Sequence, residues 1–174
     1  MRVVISGGWG YRNLGDDAIL DSTIQLLKSK YPDVLIDVLT YDVNDSAVHQ
    51  QPQVRLHHCA HTYLDNNVCE YRYQVVNRDY SIPKKIYYKL ADRVIESDWW
   101  FNVTVKRDRF SHVESIISGA DLFIMAGGGY FNEKWMAKTR AHIWELETAK
   151  RHQVPYIIIG PTIGTFPALL AGKI

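Results

Sequence analysis

The chain has 174 residues, 47% of them hydrophobic and 22% charged, the balance of one ordinary globular domain with a sizeable core. Twenty Lys and Arg against 19 Asp and Glu leave a net charge of +1, so nucleic acid has no global electrostatic claim on it. Mean hydropathy is -0.20, and no apolar run approaches the roughly 18 residues that suggest a membrane span. The opening MRVVISGG lacks the apolar stretch and small-residue cleavage site of a secretory leader. Two cysteines, Cys59 and Cys69, are too few for a disulfide scaffold, and the compartment expected is the reducing cytoplasm.

In chain order, Arg2 to Ser6 is a β-branched run closed by Gly7 and Gly8 and predicts a buried strand. Apolar Ala18, Ile19, Ile24, Leu26 and Leu27 predict a helix over Asp16 to Lys30, broken by Tyr31-Pro32-Asp33. Val34 to Tyr41 reads as the second strand and Val54 to Leu56 as a short third. Ile82 to Ser97 predicts a helix in which Ile86, Leu90 and Val94 repeat at i, i+4, with Lys84, Lys85, Lys89 and Arg93 between them. A short helix over Arg109 to Ser118 precedes a strand at Asp121 to Ala126. Helical Trp135 to His152 and a strand at Val154 to Gly160 complete the pattern. Strand–helix–strand alternation at this spacing means βαβ units, hence an α/β fold with a doubly wound, mainly parallel sheet. The domain is expected to occupy residues 1–167. Residues 168–174 carry five apolar residues that start a linker or helix with nothing left in the sequence to pack against.

Three glycine segments each follow a strand, where ligands bind in an open parallel sheet. The first runs from Gly7 to Asp17. A dinucleotide fingerprint starting at Gly8 would need its third glycine at position 13, which is Asn13, and no Gly-Lys-Ser/Thr is present for a P-loop. Asp16 and Asp17 at the helix start suit capping and oppose a bare pyrophosphate. Turn and cap account for the residue types here, though not for so long a loop. The second segment, Gly127-Gly128-Gly129, loses about 1 kcal/mol of backbone entropy per glycine relative to Ala, which close approach to a ligand or another backbone would justify. The third is Gly160-Pro161-Thr162-Ile163-Gly164. Together they make a crevice and leave the reaction open.

Other constellations are weaker. His57-His58-Cys59-x-His61 has ligand types too crowded to wrap one ion, with no second pair downstream, so no metal site is expected. No Gly-x-Ser-x-Gly supports a hydrolase triad. Trp99-Trp100-Phe101, with Tyr87, Tyr88 and lysines nearby, admits core packing, a peripheral membrane contact or saccharide stacking.

The sequence resembles the polysaccharide pyruvyl transferase family. The resemblance rests on Gly10-x-x-Asn13-x-Gly15-Asp16-x-Ala18-Ile19, on Ala120-Asp121-x-x-Ile124-x-x-Gly127-Gly128-Gly129, and on Gly160-x-x-Ile163-Gly164-x-Phe166. It implies a Rossmann-like domain forming the N-terminal half of a two-domain, GT-B-like architecture. It also implies transfer of a pyruvyl group from phosphoenolpyruvate to a sugar hydroxyl of a cell-surface saccharide, without a further cofactor. By the same resemblance Asn13, Gly15 and Asp16 shape the cleft floor, Gly127 to Gly129 oppose it, and Arg140 stands where the family carries an arginine after the glycines. Gly10 and Gly164 belong to the same substrate-binding set. The family's Arg-x-His lies in its second domain, and no general acid or base is assigned here. The sequence departs from the family at Pro161, Thr165 and Asn132-Glu133-Lys134-Trp135. A nucleotide-sugar glycosyltransferase domain and a non-catalytic Rossmann-like binding domain are the competing readings, and the expected place of action is the cytoplasm or the inner membrane face.

Overall fold

The computed structural model describes residues 1–10, 13–44, 46, 49, 51–64, 82–95, 97–106, 108–132 and 135–164. The expected start of a linker or helix at 168–174 lies outside these residues, as do Cys69, Glu133, Lys134, Thr165 and Phe166. Strands β1 (Arg2–Gly7), β2 (Leu35–Thr40), β3 (Val54–His58), β4 (Leu122–Ala126) and β5 (Tyr156–Ile159) form one all-parallel sheet in the order β3-β2-β1-β4-β5. Between them run α1 (Leu14–Lys30), a 3-10 turn (Ala60–Tyr63), α2 (Ile82–Ile95), α3 (Asp98–Lys106), α4 (Ser111–Ser118) and α5 (Met136–Arg151). This is a Rossmann-like α/β arrangement. Strand order reverses between β1 and β4, and in open parallel sheets ligands bind beyond the carboxyl ends at such a point.

Alternate residues of each central strand feed two cores, as a parallel sheet covered on both faces requires. Val3, Ile5, Ile36, Val38 and Ile124 meet Leu20, Ile24 and Leu27 of α1 on one face. Val4, Leu39, Phe123 and Met125 meet Val113, Ile116 and Ile117 of α4 and Ala141 and Trp144 of α5 on the other. Each such aliphatic side chain contributes about 1.5–3 kcal/mol by leaving water. No helix among the described residues is long and apolar enough to cross a membrane.

Two elements differ from the expected boundaries for physical reasons. Helix α1 begins at Leu14 rather than Asp16, because Asn13 is its N-cap and its side-chain oxygen accepts from the Gly15 N–H. The aromatic run at 99–101 opens α3, a helix whose aromatic and β-branched composition gives it weak intrinsic propensity. Packing supplies what propensity lacks. The Trp100 indole donates to the Leu64 carbonyl at 3.1 Å, and Phe101 lies 5.8 Å from Phe110. Trp99 points outward.

Asp37, paired in register with Val4, is a fully buried carboxylate inside the sheet. Burial by itself raises its pKa. Hydrogen bonds from His57 (2.8 Å), Arg2 (2.7 Å) and Arg55 (2.9 Å) outweigh that and hold it far below the ordinary 3.8. A depressed native value stabilises the fold above the unfolded pKa and is lost as pH falls through and below it. The melting temperature is therefore expected to drop with acid from about pH 4 downward. In Asp37→Asn that drop should shrink, with about 2 kcal/mol already lost at neutral pH; identical acid limbs in the two proteins would remove Asp37 from the account.

Candidate functional site

The site begins where β1 ends. A Cβ at Gly7 would overlap the Ala126 carbonyl of β4 and the Trp9 ring. Trp9 is fully buried and donates from its indole to the Leu39 carbonyl at 2.8 Å, which ties the loop down onto β2. Gly10, at φ +89°, lies against the Asp42 backbone, so this predicted site glycine packs on the end of β2. Gly8 is different. A Cβ there would stand 3.0 Å from Asp16 Oδ2 and 3.5 Å from the Gly128 Cα. Gly8, Gly128 and the Asp16 carboxylate thus converge at the point where the strand order reverses.

The start of α1 explains why Asp16 is available. Asn13 does the capping expected of the aspartates, and its Nδ2 also donates to Asp16 Oδ2 at 2.7 Å. Asp17 faces His49 at 3.4 Å, and the same imidazole meets Asp21 at 2.7 Å. Burial raises the Asp16 pKa, the Asn13 hydrogen bond lowers it, the neighbouring Asp17 charge raises it and Lys138 lowers it, with the balance upward. Gly15 lies in this first turn, its N–H donating to the Asn13 side-chain oxygen at 3.2 Å.

The opposite wall comes from β4. Gly127 (φ +64°) sits 3.0 Å from the Ile19 side chain of α1 by the position of its absent Cβ. Gly128 (φ +90°) has the Tyr130 ring where a Cβ would be, so both its backbone and its surroundings exclude a side chain. Gly129 opens onto free space. The third segment runs alongside: Thr162 N–H donates to the Gly128 carbonyl at 3.1 Å and Gly164 N–H to that of Phe131 at 2.8 Å. The structure therefore brings Gly8, Asn13, Asp16 and Gly128 together, with Gly127 and Gly129 on either side of Gly128 and Gly164 against Asn132 and Phe131. Arg140 is ion-paired at 2.8 Å with Asp98 of α3.

Beneath the glycines lies a buried polar network that the sequence reading did not single out. Ser6, the residue before Gly7, donates to Glu145 Oε2 at 2.6 Å and lies 3.3 Å from His142 Nδ1. His142 Nδ1 is 3.0 Å from Glu145 and its Nε2 is 2.7 Å from the Tyr41 hydroxyl. The Ala60 N–H donates to Glu145 Oε1 at 2.9 Å. Tyr130 stacks on His142, ring centres 4.1 Å apart. Its hydroxyl is buried and makes no hydrogen bond among the described residues. Burial first, then the Glu145 and Asp16 charges, push that hydroxyl far above its ordinary value. Lys138 rides 4.8 Å over the Tyr41 ring and 4.5 Å over Trp135. A signal existed: Lys138, His142 and Glu145 fall at i, i+4, i+7, a polar stripe on the face where a sheet-packed helix should be apolar.

The His57-to-His61 cluster is dispersed. His57 bonds Asp37, His58 is exposed, and Cys59 and His61 are buried. Among the described residues no group of three His, Cys, Asp or Glu could hold a metal ion.

A half-buried carboxylate, a lysine ammonium and a flat indole around an open glycine loop suit a polyhydroxyl ligand, with hydrogen bonding from the charges and apolar contact from the ring. The two acids in the first turn of α1 oppose a pyrophosphate at that helix end. A family model described as polysaccharide pyruvyl transferase matches residues 13–169. No curated protein and no solved structure matches the chain. The matched span begins at the Asn13 cap, so it takes in the end of the first glycine segment and the whole of the second and third. On that coverage the chain belongs to the polysaccharide pyruvyl transferase family.

Proposed function

We propose that the protein transfers a pyruvyl group from phosphoenolpyruvate to a sugar hydroxyl, in the cytoplasmic assembly of an exopolysaccharide or other cell-envelope saccharide. Its domain at 1–167 acts as the N-terminal, acceptor-side half of a GT-B-like pair. One observation carries the acceptor role: the Asp16 carboxylate between Gly8 and Gly128 at the strand-order reversal. In this reading the acceptor hydroxyl gives its proton to Asp16 as its oxygen bonds to C2 of the enol phosphate. The methylene carbon takes up a proton from solvent; a second hydroxyl then displaces phosphate at C2 to close the ketal, its proton leaving with the phosphate while Asp16 returns its own to solvent. Arg140 would serve the donor's carboxylate or phosphate after exchanging its present partner, Asp98.

The half-enzyme reading is supported by β5, whose four side chains are each 44–48% exposed on alternating faces. Parallel strands are ordinarily covered on both faces, and this edge suits coverage by further structure.

The test is phosphate release from phosphoenolpyruvate in the presence of saccharide acceptors, run beside UDP- and GDP-sugars as donors. The enzyme carrying both domains is expected to release phosphate only when acceptor is present, and residues 1–174 alone to bind acceptor without turnover. Turnover with a nucleotide-sugar instead would assign the glycosyltransferase reading. Turnover by 1–174 alone would end the half-enzyme reading, and no turnover by either form would favour a binding domain.

A further inference from the structure

Helix α2 is amphipathic in the wrong sense for a helix that only packs on a sheet. Ile95 at its end is buried in the core. Ile82, Ile86, Leu90 and Val94, one per turn, are 74%, 54%, 58% and 44% exposed. By helical register Lys85, Lys89 and Arg93 fall on successive turns beside that stripe, and Lys84 adds a fourth basic residue against the single acid Asp92. At the start of α3, two residues beyond a short turn, Trp99 is 66% exposed, while its neighbours Trp100 and Phe101 pack inward. Four turns of aliphatic surface have no counterpart among the described residues.

We infer that the α2 stripe, with Trp99, docks the protein on an anionic phospholipid surface. Aliphatic side chains immersed at the headgroup boundary, a flanking row of lysine and arginine, and a tryptophan at the interface are what such a surface recognises. The charge distribution separates this occupant from a protein partner, because protein interfaces are depleted in lysine around their apolar centre. The inference does not depend on the reaction proposed above, since it uses no residue of the crevice.

Flotation with vesicles of phosphatidylcholine alone, and of phosphatidylcholine mixed with phosphatidylglycerol, tests it. The protein is expected to float with the anionic vesicles only, and less at high salt. Ile86→Asp/Leu90→Asp should weaken binding at least tenfold, and Lys85→Ala/Lys89→Ala about fivefold for each charge removed. Ile86 and Leu90 are exposed, so circular dichroism and melting of Ile86→Asp/Leu90→Asp should stay as in the parent, and the same two measurements are made on the lysine variant. Absence of flotation on anionic vesicles overturns the inference, as does flotation undiminished in the Ile86→Asp/Leu90→Asp protein. So does a result in which that variant abolishes self-association in sedimentation while vesicle binding persists.

Discussion

Asp16→Asn is expected to slow pyruvyl transfer by about 10²- to 10⁴-fold, the usual worth of a positioned general base, with little change in stability. An asparagine oxygen can still accept from Asn13 Nδ2, so the hydrogen bond that holds the side chain survives while its basicity does not. The pH profile gives a second handle. In the proposed reaction Asp16 must be ionised to accept the hydroxyl proton, and its pKa lies above the ordinary carboxylate value. The rate is therefore expected to fall on the acid side at a higher pH than an unperturbed aspartate would give. Asp17→Asn removes a like charge that contributes to the rise, so the acid limb should move to lower pH without loss of the plateau. Rates of Asp16→Asn within a factor of a few of the parent, at every pH, would return Asp16 to a purely structural role.

Much of the fold was legible because it is written in local runs. The β-branched segments at β1 and β4 end in glycines, and a strand buried on both faces needs that continuity. The site was legible only as far as backbone demands go. Gly128 needs a positive φ and a side-chain-free surface, and three glycines in a row announce such a need. Which residue caps α1 was not legible: Asn13, Asp16 and Asp17 are all good caps by type, and His49, far along the sequence, helps decide by engaging Asp17. Arg140 shows the same limit, since its partner Asp98 sits on α3, a helix of weak intrinsic propensity for which the pattern gave no expectation. The polar stripe of α5 could have been found by asking why Lys138, His142 and Glu145 share a buried face. Identifying its partners, Ser6 and Tyr41, required the sheet.

That stripe yields the largest stability effect expected here. Ser6, His142 and Glu145 are fully buried, and Glu145 is the shared acceptor for the Ser6 hydroxyl, the Ala60 N–H and the His142 ring. Glu145→Ala strands all three groups in a dry interior, at a cost of about 3–5 kcal/mol. The melting temperature should fall on the order of 10 °C for a chain of this size. Glu145→Gln retains the volume and one oxygen, and should lose about half as much. Ser6→Ala should cost the least of the three, because the carboxylate keeps Ala60 and His142. Function should follow stability only in part. Ser6 immediately precedes Gly7 and Gly8, so loosening it shifts the floor on which Asp16 faces Gly128. Acceptor binding by Glu145→Gln is expected to weaken at temperatures where the protein is still fully folded. Calorimetry with acceptor titration separates the two effects: a melting point for Glu145→Ala within ~2 °C of the parent would mean that the network is not a structural anchor, and unchanged acceptor affinity in folded Glu145→Gln would detach it from the crevice.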